Sequence, residues 1–145
     1  MSINLKQNAD GSAGLQGTDL DDGGFVVLTF PYNATANASI LTLGDAIMSR
    51  RMIVKSIQGL PNATTTNAVT ITVYKAASGT AIASGTALHS GTYNCQGTAN
   101  TNQTLTLSTT SGVVDVAAGT RIGAVISGVP GAAGAGCITV TLAPA

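Results

Sequence analysis

Two stretches of this chain place apolar residues at every second position. The apolar members in AVTITVYKA (68–76) and CITVTLA (137–143) are Val69, Ile71, Val73, Ile138, Val140 and Leu142. Side chains alternate between the two faces of a strand, whereas a helix of 3.6 residues per turn would scatter this pattern around its surface. Both stretches are therefore expected to be strands with these six side chains turned inward.

The same period recurs along much of the chain. It is found in QTLTLST (103–109), with Leu105 and Leu107 inward, in GVVDVAA (112–118) and in RIGAVIS (121–127). Together with apolar runs nearer the start, this gives roughly eight to ten short strands at regular spacing. The pattern predicts an all-β protein, an antiparallel β-sandwich or barrel, and we favour an eight-stranded jelly roll.

Four further segments carry expectations about where strands begin, end and face. FVVLTF (25–30) is apolar on both faces and is expected to stop at Pro31. GDAIMSRR (44–51) is expected to hold a helical turn or a loop before the next strand. In RMIVKSIQGL (51–60), alternation puts the side chains of Ile53, Lys55 and Ile57 on one face and those of Met52, Val54 and Ser56 on the other. PNATTTN (61–67) reads as a loop.

Composition limits the possible partners. Six basic and six acidic residues balance, every acid is Asp, and only 8% of residues are charged, against roughly 25% in average domains. So low a charge argues against a free monomer and favours a subunit covered by other protein. A net charge of zero gives no overall positive charge that would attract nucleic acid or an anionic membrane surface.

The start of the chain differs from the rest. Residues 1–23 are polar, rich in Gly and Asp, and without periodicity, so we expect an extended N-terminal arm followed by a sandwich domain at 24–145. Asp19, Asp21 and Asp22 could hold calcium, but their spacing fits a solvated turn better. No apolar run reaches the ~20 residues of a membrane span, and no secretion signal is expected at the start.

The stretch SGTAIASGTALHSGTYNC (78–95) repeats Ser-Gly-Thr every six residues. Three hexads are too few for a β-helix, which needs many consecutive coils. The alternative is a hairpin turn at Ser78 and Gly79, a short returning strand in TAIAS (80–84), and bends at the two later Ser-Gly pairs. We favour the second interpretation.

The residues offer no catalytic constellation. His89 is the single histidine; on a strand its neighbour Ser90 would point to the opposite face, and Cys95 would lie ~20 Å along the chain. We expect His89 to be a surface or interface residue. Glycoside hydrolysis needs two facing carboxylates, and outside the arm only Asp45 and Asp115 remain, with Asp115 expected to point outward. We therefore predict no enzyme, with no catalytic, cofactor-binding or metal site and no cofactor.

Two smaller features leave alternatives open. Cys95 and Cys137 lack metal-site spacing and read as buried or half-buried thiols, with a disulfide as the alternative if their strands are neighbours. SRRMIVK (49–55) holds three of the six positive charges and is either a docking patch for an acidic partner or a solvated strand start. Exposed aromatic residues would be needed for a sugar-binding module, and the candidates are Tyr32, Tyr74, Tyr93, Phe25 and Phe30.

Several phrases resemble one family of small virion proteins. They are LKQNADGS near the start, VYKAASGTAIASGTALHSGTYN in the middle, GTANTNQTLTLSTTSGVVDVAAGTRIG and the terminal ITVTLAPA. Together they are similar to the cement, or head-decoration, proteins of tailed double-stranded DNA bacteriophages. The resemblance covers nearly the whole chain and is carried by turn and strand phrases.

The resemblance implies a jelly-roll β-sandwich on the outer capsid surface of a virion, made in the bacterial host cytoplasm. It implies two partners: the major capsid protein, whose neighbouring copies the protein would bridge, and the chain itself as a homo-oligomer, with a trimer favoured over a dimer. No functional residue is carried over from it. The alternative function is a carbohydrate-binding or adhesive β-sandwich module of a virion or cell surface.

Overall fold

The computed structural model describes residues 6–7, 13–14, 24–33, 40–128 and 134–145. Within these ranges the chain forms strands and one short 3-10 helix, Ile82–Ser84. The strands are β1 Lys6–Gln7, β2 Ala13–Gly14, β3 Val26–Asn33, β4 Ile40–Ile47, β5 Met52–Ala63, β6 Thr70–Ala76, β7 Thr86–Ala87, β8 Tyr93–Asn94, β9 Gln103–Leu105, β10 Asp115–Val116, β11 Arg121–Ser127 and β12 Ala135–Pro144. No helix in the described ranges is long and apolar enough to cross a membrane.

Two antiparallel sheets make up the domain. Sheet 1 has the order β10–β5–β12–β3, with β9 also paired to β5, and sheet 2 has the order β4–β11–β6–β7, with β8 also paired to β6. Because β12 occupies one side of β5, the short strands β9 and β10 share its other side. Strands β3 to β6 alternate between the sheets, and β11 and β12 each enter the middle of one. This is the strand order of a jelly roll, and it confirms the all-β sandwich prediction.

The core lies between the sheets, where the alternating stretches predicted it. Val69, Ile71 and Val73 are fully buried, as are Ile138, Val140 and Leu142. Leu105 and Leu107 are partly buried and pack against the same cluster. Strict alternation predicted these faces correctly because neither β6 nor β12 contains an extra residue between these positions, so their side chains keep alternating.

Strand β5 does not keep its register, and the predicted division of its faces was wrong. Thr141 of β12 pairs with Ser56, but the next residue, Leu142, pairs with Val54. Lys55 is therefore an extra, bulged residue, and its side chain is exposed. A bulge of one residue exchanges the faces, so Met52 and Val54 are buried before it and Ile57 after it.

Strand β3 passes through Pro31 instead of stopping there, so that predicted end was also wrong. Pro31 pairs with Cys137 of β12, and among the described strands β3 pairs with β12 alone. Proline lacks an N–H but is tolerated in an edge strand, where that position faces away from the ladder. The sequence did not show that β3 lies at an edge.

Three other local predictions also need correction. The expected loop before β5 is confined to residues 48–51, because β4 continues to Ile47. Strand β5 extends to Ala63, into the segment expected to be a loop. Gly79 adopts φ of +82° in a turn, as expected, but residues 82–84 form the 3-10 helix, and the chain returns beside β6 only at Thr86–Ala87.

The predicted N-terminal arm lies almost wholly outside the described residues. Within 1–23, only the short strands β1 and β2 are described, and they pair with each other in antiparallel fashion. The Asp19, Asp21 and Asp22 cluster also falls outside the described ranges, as do residues 129–133. The extended arm and its boundary at residue 23 stay predictions.

Candidate interaction surface

His89 is a structural group, and the expectation of a surface or interface histidine was wrong. Its side chain is buried, with 4% exposed. The imidazole Nε2 accepts a hydrogen bond of 3.0 Å from the backbone N–H of Val73 in β6. Burial lowers the pKa of His89 below its ordinary value, because a buried imidazolium loses hydration. The neutral imidazole thus accepts a β6 hydrogen bond that a backbone carbonyl of a neighbouring strand would otherwise accept.

The other candidate nucleophiles are the hydroxyl of Ser90 and the two cysteine thiols. Ser90 is exposed, and its hydroxyl lies 3.4 Å from the carbonyl oxygen of Thr106. Cys95 and Cys137 are free thiols, the first buried and the second half-buried, so the disulfide alternative is not realised. Burial raises the pKa of Cys95 to about 11, which keeps the thiol protonated and unreactive near neutral pH.

The two carboxylates of the sandwich each pair with an arginine. Asp45 lies 2.9 Å from Arg121, and Asp115 binds the guanidinium of Arg51 through both oxygens. The hydrogen bond from Arg51 lowers the pKa of Asp115. This also occupies one of the three cations in the 49–55 patch. No group of His, Cys, Asp or Glu in the described ranges could hold a metal ion.

Most aromatic side chains are unavailable as a sugar platform. Tyr32 and Tyr93 are buried and meet edge to face, with 3.0 Å between their hydroxyl oxygens. Burial raises the pKa of Tyr32 to about 12. Phe30 is also buried, and among the described aromatic residues only Phe25 is exposed, at 65%.

One side of the sandwich is closed by hydrogen bonds between the sheets. Leu88 donates its N–H to Val73 in β6 and accepts one at its carbonyl from Ser108, and Ser90 donates to Thr106. Residues 88–90 thereby connect sheet 2 to the segment that continues from β9 of sheet 1. Lys75 adds a second connection, since its ammonium donates to the carbonyl oxygens of Gly112, at 2.6 Å, and Asp115, at 2.7 Å.

The opposite side is open. There β3 and β4 lie at the ends of their sheets, and among the described strands each pairs on one side only. All five large hydrophobic side chains found exposed in the described ranges lie on these two strands or directly before them: Phe25, Val26, Val27, Leu41 and Ile47. The asymmetry identifies the open side as the candidate interaction surface.

Four of these residues lie at or next to one end of the open side, and we call them the apolar corner: Phe25, Val26, Val27 and Ile47. A groove of about 150 Å³ at this end is lined by Val26 and Ile47 together with the polar Ser49 and Arg50. Phe25 and Val27 leave β3 on the face opposite to Val26. The exposed fractions of these four side chains are 65%, 37%, 59% and 70%.

The open side lacks the charges that usually protect sheet edges. Strand β3 contains no charged residue, and β4 contains only Asp45, which pairs with Arg121. Free edges normally carry lysines or other charges that prevent pairing with other chains. The sequence signal for this surface was the FVVLTF run, apolar on both faces, but nothing local showed that Ile47 would join it.

Comparisons with known proteins gave distant structural similarities only. No protein-family model matches the chain, and no curated protein matches it. A structure of the infectious bursal disease virus Gx strain has 16% identity over 82% of this chain and 32% of that one, with a TM-score of 0.37. The VP2 subviral particle of the same virus has 14% identity over 83% and 33%, with a TM-score of 0.36. The chain thus spans about a third of the length of these proteins, and neither likeness identifies a family.

Proposed function

We propose that this chain is a structural virion protein that decorates the outside of a bacteriophage capsid and stabilises it by bridging neighbouring major capsid proteins. The observation that carries the proposal is the open side of the sandwich. Exposed Phe25, Val27 and Ile47 are costly to leave in water, and the one charged residue of these two strands, Asp45, is paired with Arg121. A free sheet edge also invites pairing. A permanent place in an assembly removes both problems.

The chemistry of the described residues supports a scaffold. The imidazole of His89 is committed to a backbone N–H, Cys95 is buried, and each sandwich carboxylate is paired with an arginine. The resemblance to cement proteins supports the capsid as the site of action and a homo-oligomer, with a trimer favoured over a dimer. Many weak contacts repeated over a shell suffice for firm attachment.

Partners and location follow from the same proposal. The protein is made in the bacterial host cytoplasm and acts on the virion, where it contacts the major capsid protein and other copies of itself, and neither nucleic acid nor membrane. Residues 1–23 act as an extended arm that becomes ordered on the capsid lattice. A sugar-binding module is the weaker alternative, because Tyr32 and Tyr93 are buried in the core.

Purified virions test the proposal directly. Quantitative mass spectrometry of particles should find the protein in many copies, on the order of hundreds per particle. Particles that lack it should rupture at lower temperature and recover when the purified protein is added. Virions that contain none of the protein would refute the function.

The arm is tested separately with a chain lacking residues 1–23. This variant should keep the β-rich circular dichroism spectrum of the full chain, because the strands of the two sheets all follow residue 23. It should bind particles more weakly, since one of several linked contacts is lost. Equal decoration by the shortened and full chains would contradict the role of the arm.

A further inference from the structure

We propose that the groove at this end of β3 and β4 is a docking site for residues 19–22 of the same chain, the sequence DLDD. Leu20 packs against Val26 and Ile47, and a neighbouring carboxylate pairs with Arg50. The inference goes beyond the proposed function and does not depend on it, because the contact forms within a single chain. It specifies where the predicted arm is held on the sandwich.

The groove combines apolar walls with one cation. It is lined by Val26 and Leu28 from β3, by Ala46 and Ile47 from β4, and by Met48, Ser49, Arg50 and Met52 from the turn into β5 and its first residue. Among these eight residues Arg50 carries the only charge. An apolar side chain flanked by carboxylates suits both parts, since apolar contact removes the walls from water and a carboxylate pairs with a guanidinium.

The segment DLDD has this composition. Leu20 lies between Asp19 and Asp21, with Asp22 next in the chain, and it is the one apolar residue of the sequence with an acidic residue on both sides. It therefore brings an apolar side chain and adjacent negative charges to the groove together.

The arm and the sandwich carry opposite net charges. Residues 24–145 contain five basic and two acidic residues, a net charge of +3, whereas residues 1–23 contain one lysine and four aspartates, a net charge of −3. Two charged surfaces of opposite sign attract each other. The zero balance of the whole chain thus conceals a division that favours contact between its two parts.

The charge of the sandwich is concentrated towards one end, where β4 passes into β5. Strand pairing places Asp115 beside Ile53 and Arg121 beside Ile47, at the same end as the groove. The seven charged residues of 24–145 all lie in this part of the sandwich: Asp45, Arg50, Arg51, Lys55, Lys75, Asp115 and Arg121. A net positive end of this kind attracts acidic residues.

Position along the chain brings the segment to the groove. Val26, which lines the groove, is four residues after Asp22 and six after Leu20, so the extended chain from Leu20 to Val26 measures at most about 22 Å. Gly23 and Gly24 lie between the acids and β3, and glycine permits the backbone angles of a reversal. So short a tether gives an effective concentration in the millimolar range, at which a weak contact suffices.

Docking leaves the rest of the open side available to an assembly. Phe25 and Val27 lie on the face of β3 opposite to Val26, and Leu41 lies near the other end of β4. These exposed side chains stay uncovered when the groove is filled. Residues 1–18 then leave the sandwich from its positive end.

Endoproteinase Asp-N, which cleaves before aspartate, measures the docking in the full chain. The reference is a synthetic peptide of residues 1–24, which has the same cleavage sites and no sandwich. Cleavage before Asp19, Asp21 and Asp22 should be at least tenfold slower in the full chain than in the peptide. Sodium chloride at about 0.5 M shortens the Debye length to roughly 4 Å and should reduce this difference at least threefold, with the peptide in the same buffer correcting for effects on the protease.

Two substitutions separate the charge from the apolar contact. Arg50→Gln and Leu20→Ser should each raise the cleavage rates at least threefold, relative to a peptide with the same arm sequence. Thr64→Glu is the matched control for Arg50→Gln. It lowers the net charge by the same amount at an exposed residue just beyond the opposite end of β5, and it should leave the rates unchanged. Circular dichroism checks the fold of each variant, and the salt dependence decides the question without any substitution.

Exchanging the charges identifies the copy that supplies the segment. Arg50→Glu and the double variant Asp21→Lys, Asp22→Lys should each lose protection from cleavage. A chain that carries all three changes should regain it at Asp19, because opposite charges meet again. Mixing the Arg50→Glu chain with the double-variant chain should restore nothing, because each copy docks its own segment.

Slow cleavage that depends on Arg50, Leu20 and salt supports the inference. Cleavage as fast as in the peptide, protection that survives the Arg50 variants, or no regained protection in the triple variant overturns it. Restored protection in the mixture also overturns it, since the segment would then dock on a neighbouring copy. An accessible segment in a protein found in virions overturns the docking alone, and a docked segment in a protein absent from virions overturns the proposed function alone.

Discussion

Replacing His89 with alanine should destabilise the sandwich, although the residue has no catalytic partner. The change leaves the buried N–H of Val73 without its acceptor, which costs about 1–3 kcal/mol. It also removes a buried ring from the side where the two sheets are joined, and the cavity adds about 1 kcal/mol. We expect a total loss of about 2–4 kcal/mol, or a fall in Tm of roughly 5–15 °C for a chain of this length.

The pH dependence follows from the direction of the pKa shift. Burial lowers the pKa of His89 in the folded state, while the unfolded chain keeps the ordinary value of about 6.5. The folded protein therefore binds fewer protons, and stability falls as the pH drops below about 6.5 towards the folded pKa. The contribution is fully present above the unfolded value.

Urea unfolding at pH 7 and pH 5 measures both effects. His89→Gln should lose less stability than His89→Ala, because its side-chain oxygen can still accept from Val73, and it should lose the part of the pH dependence due to the imidazole. Ser90→Ala, a change at the exposed neighbour, should stay within about 0.5 kcal/mol of the wild type. A His89→Ala loss below about 0.5 kcal/mol, or an unchanged pH dependence in His89→Gln, would refute the reasoning.

Three further predictions concern other contacts. A methyl group added at Gly59 would enter the ring of buried Tyr93, so Gly59→Ala should cost about 1–3 kcal/mol by chemical denaturation; an unchanged midpoint would contradict that packing. Lys75→Met removes the ammonium that bridges the sheets and should lower the free energy of unfolding by about 1–3 kcal/mol. Lys55→Met, at the exposed bulge, should lower it little. Equal losses of stability in the two variants would contradict the bridge. Cys95 is buried and its pKa is raised. A thiol reagent at pH 8 should therefore modify it at least tenfold more slowly in the folded than in the unfolded chain, as measured by mass spectrometry. Equal rates would show that the thiol is accessible in the folded chain.

The sequence was most informative for strands whose buried face follows from the alternation of apolar and polar residues within the strand itself. Alternation placed Val69, Ile71 and Val73 correctly, since each buried side chain follows from its own strand. The bulge at Lys55 could not be found this way, because it is defined by the register of β12, some 80 residues further on. The same holds for Pro31, whose tolerance depends on β3 being an edge strand.

The sequence predicted only part of the candidate surface. The FVVLTF run showed apolar residues on both faces, and the low charge favoured a subunit covered by other protein. That Ile47 joins the corner depends on β4 continuing past the point where a loop was expected. The role of His89 was missed for a similar reason, because its partner is a backbone group of β6, 16 residues earlier in the chain.

The place of β12 has a consequence for synthesis. This late strand lies between β5 and β3 and provides the hydrogen-bonded neighbour for β3 along eight residues. Sheet 1 therefore cannot be completed on the ribosome until residues 135–144 have left the exit tunnel. A chain broken off before them lacks the strand that pairs with β3, so an unfinished copy cannot hold Val26 and Val27 at the edge of the sheet.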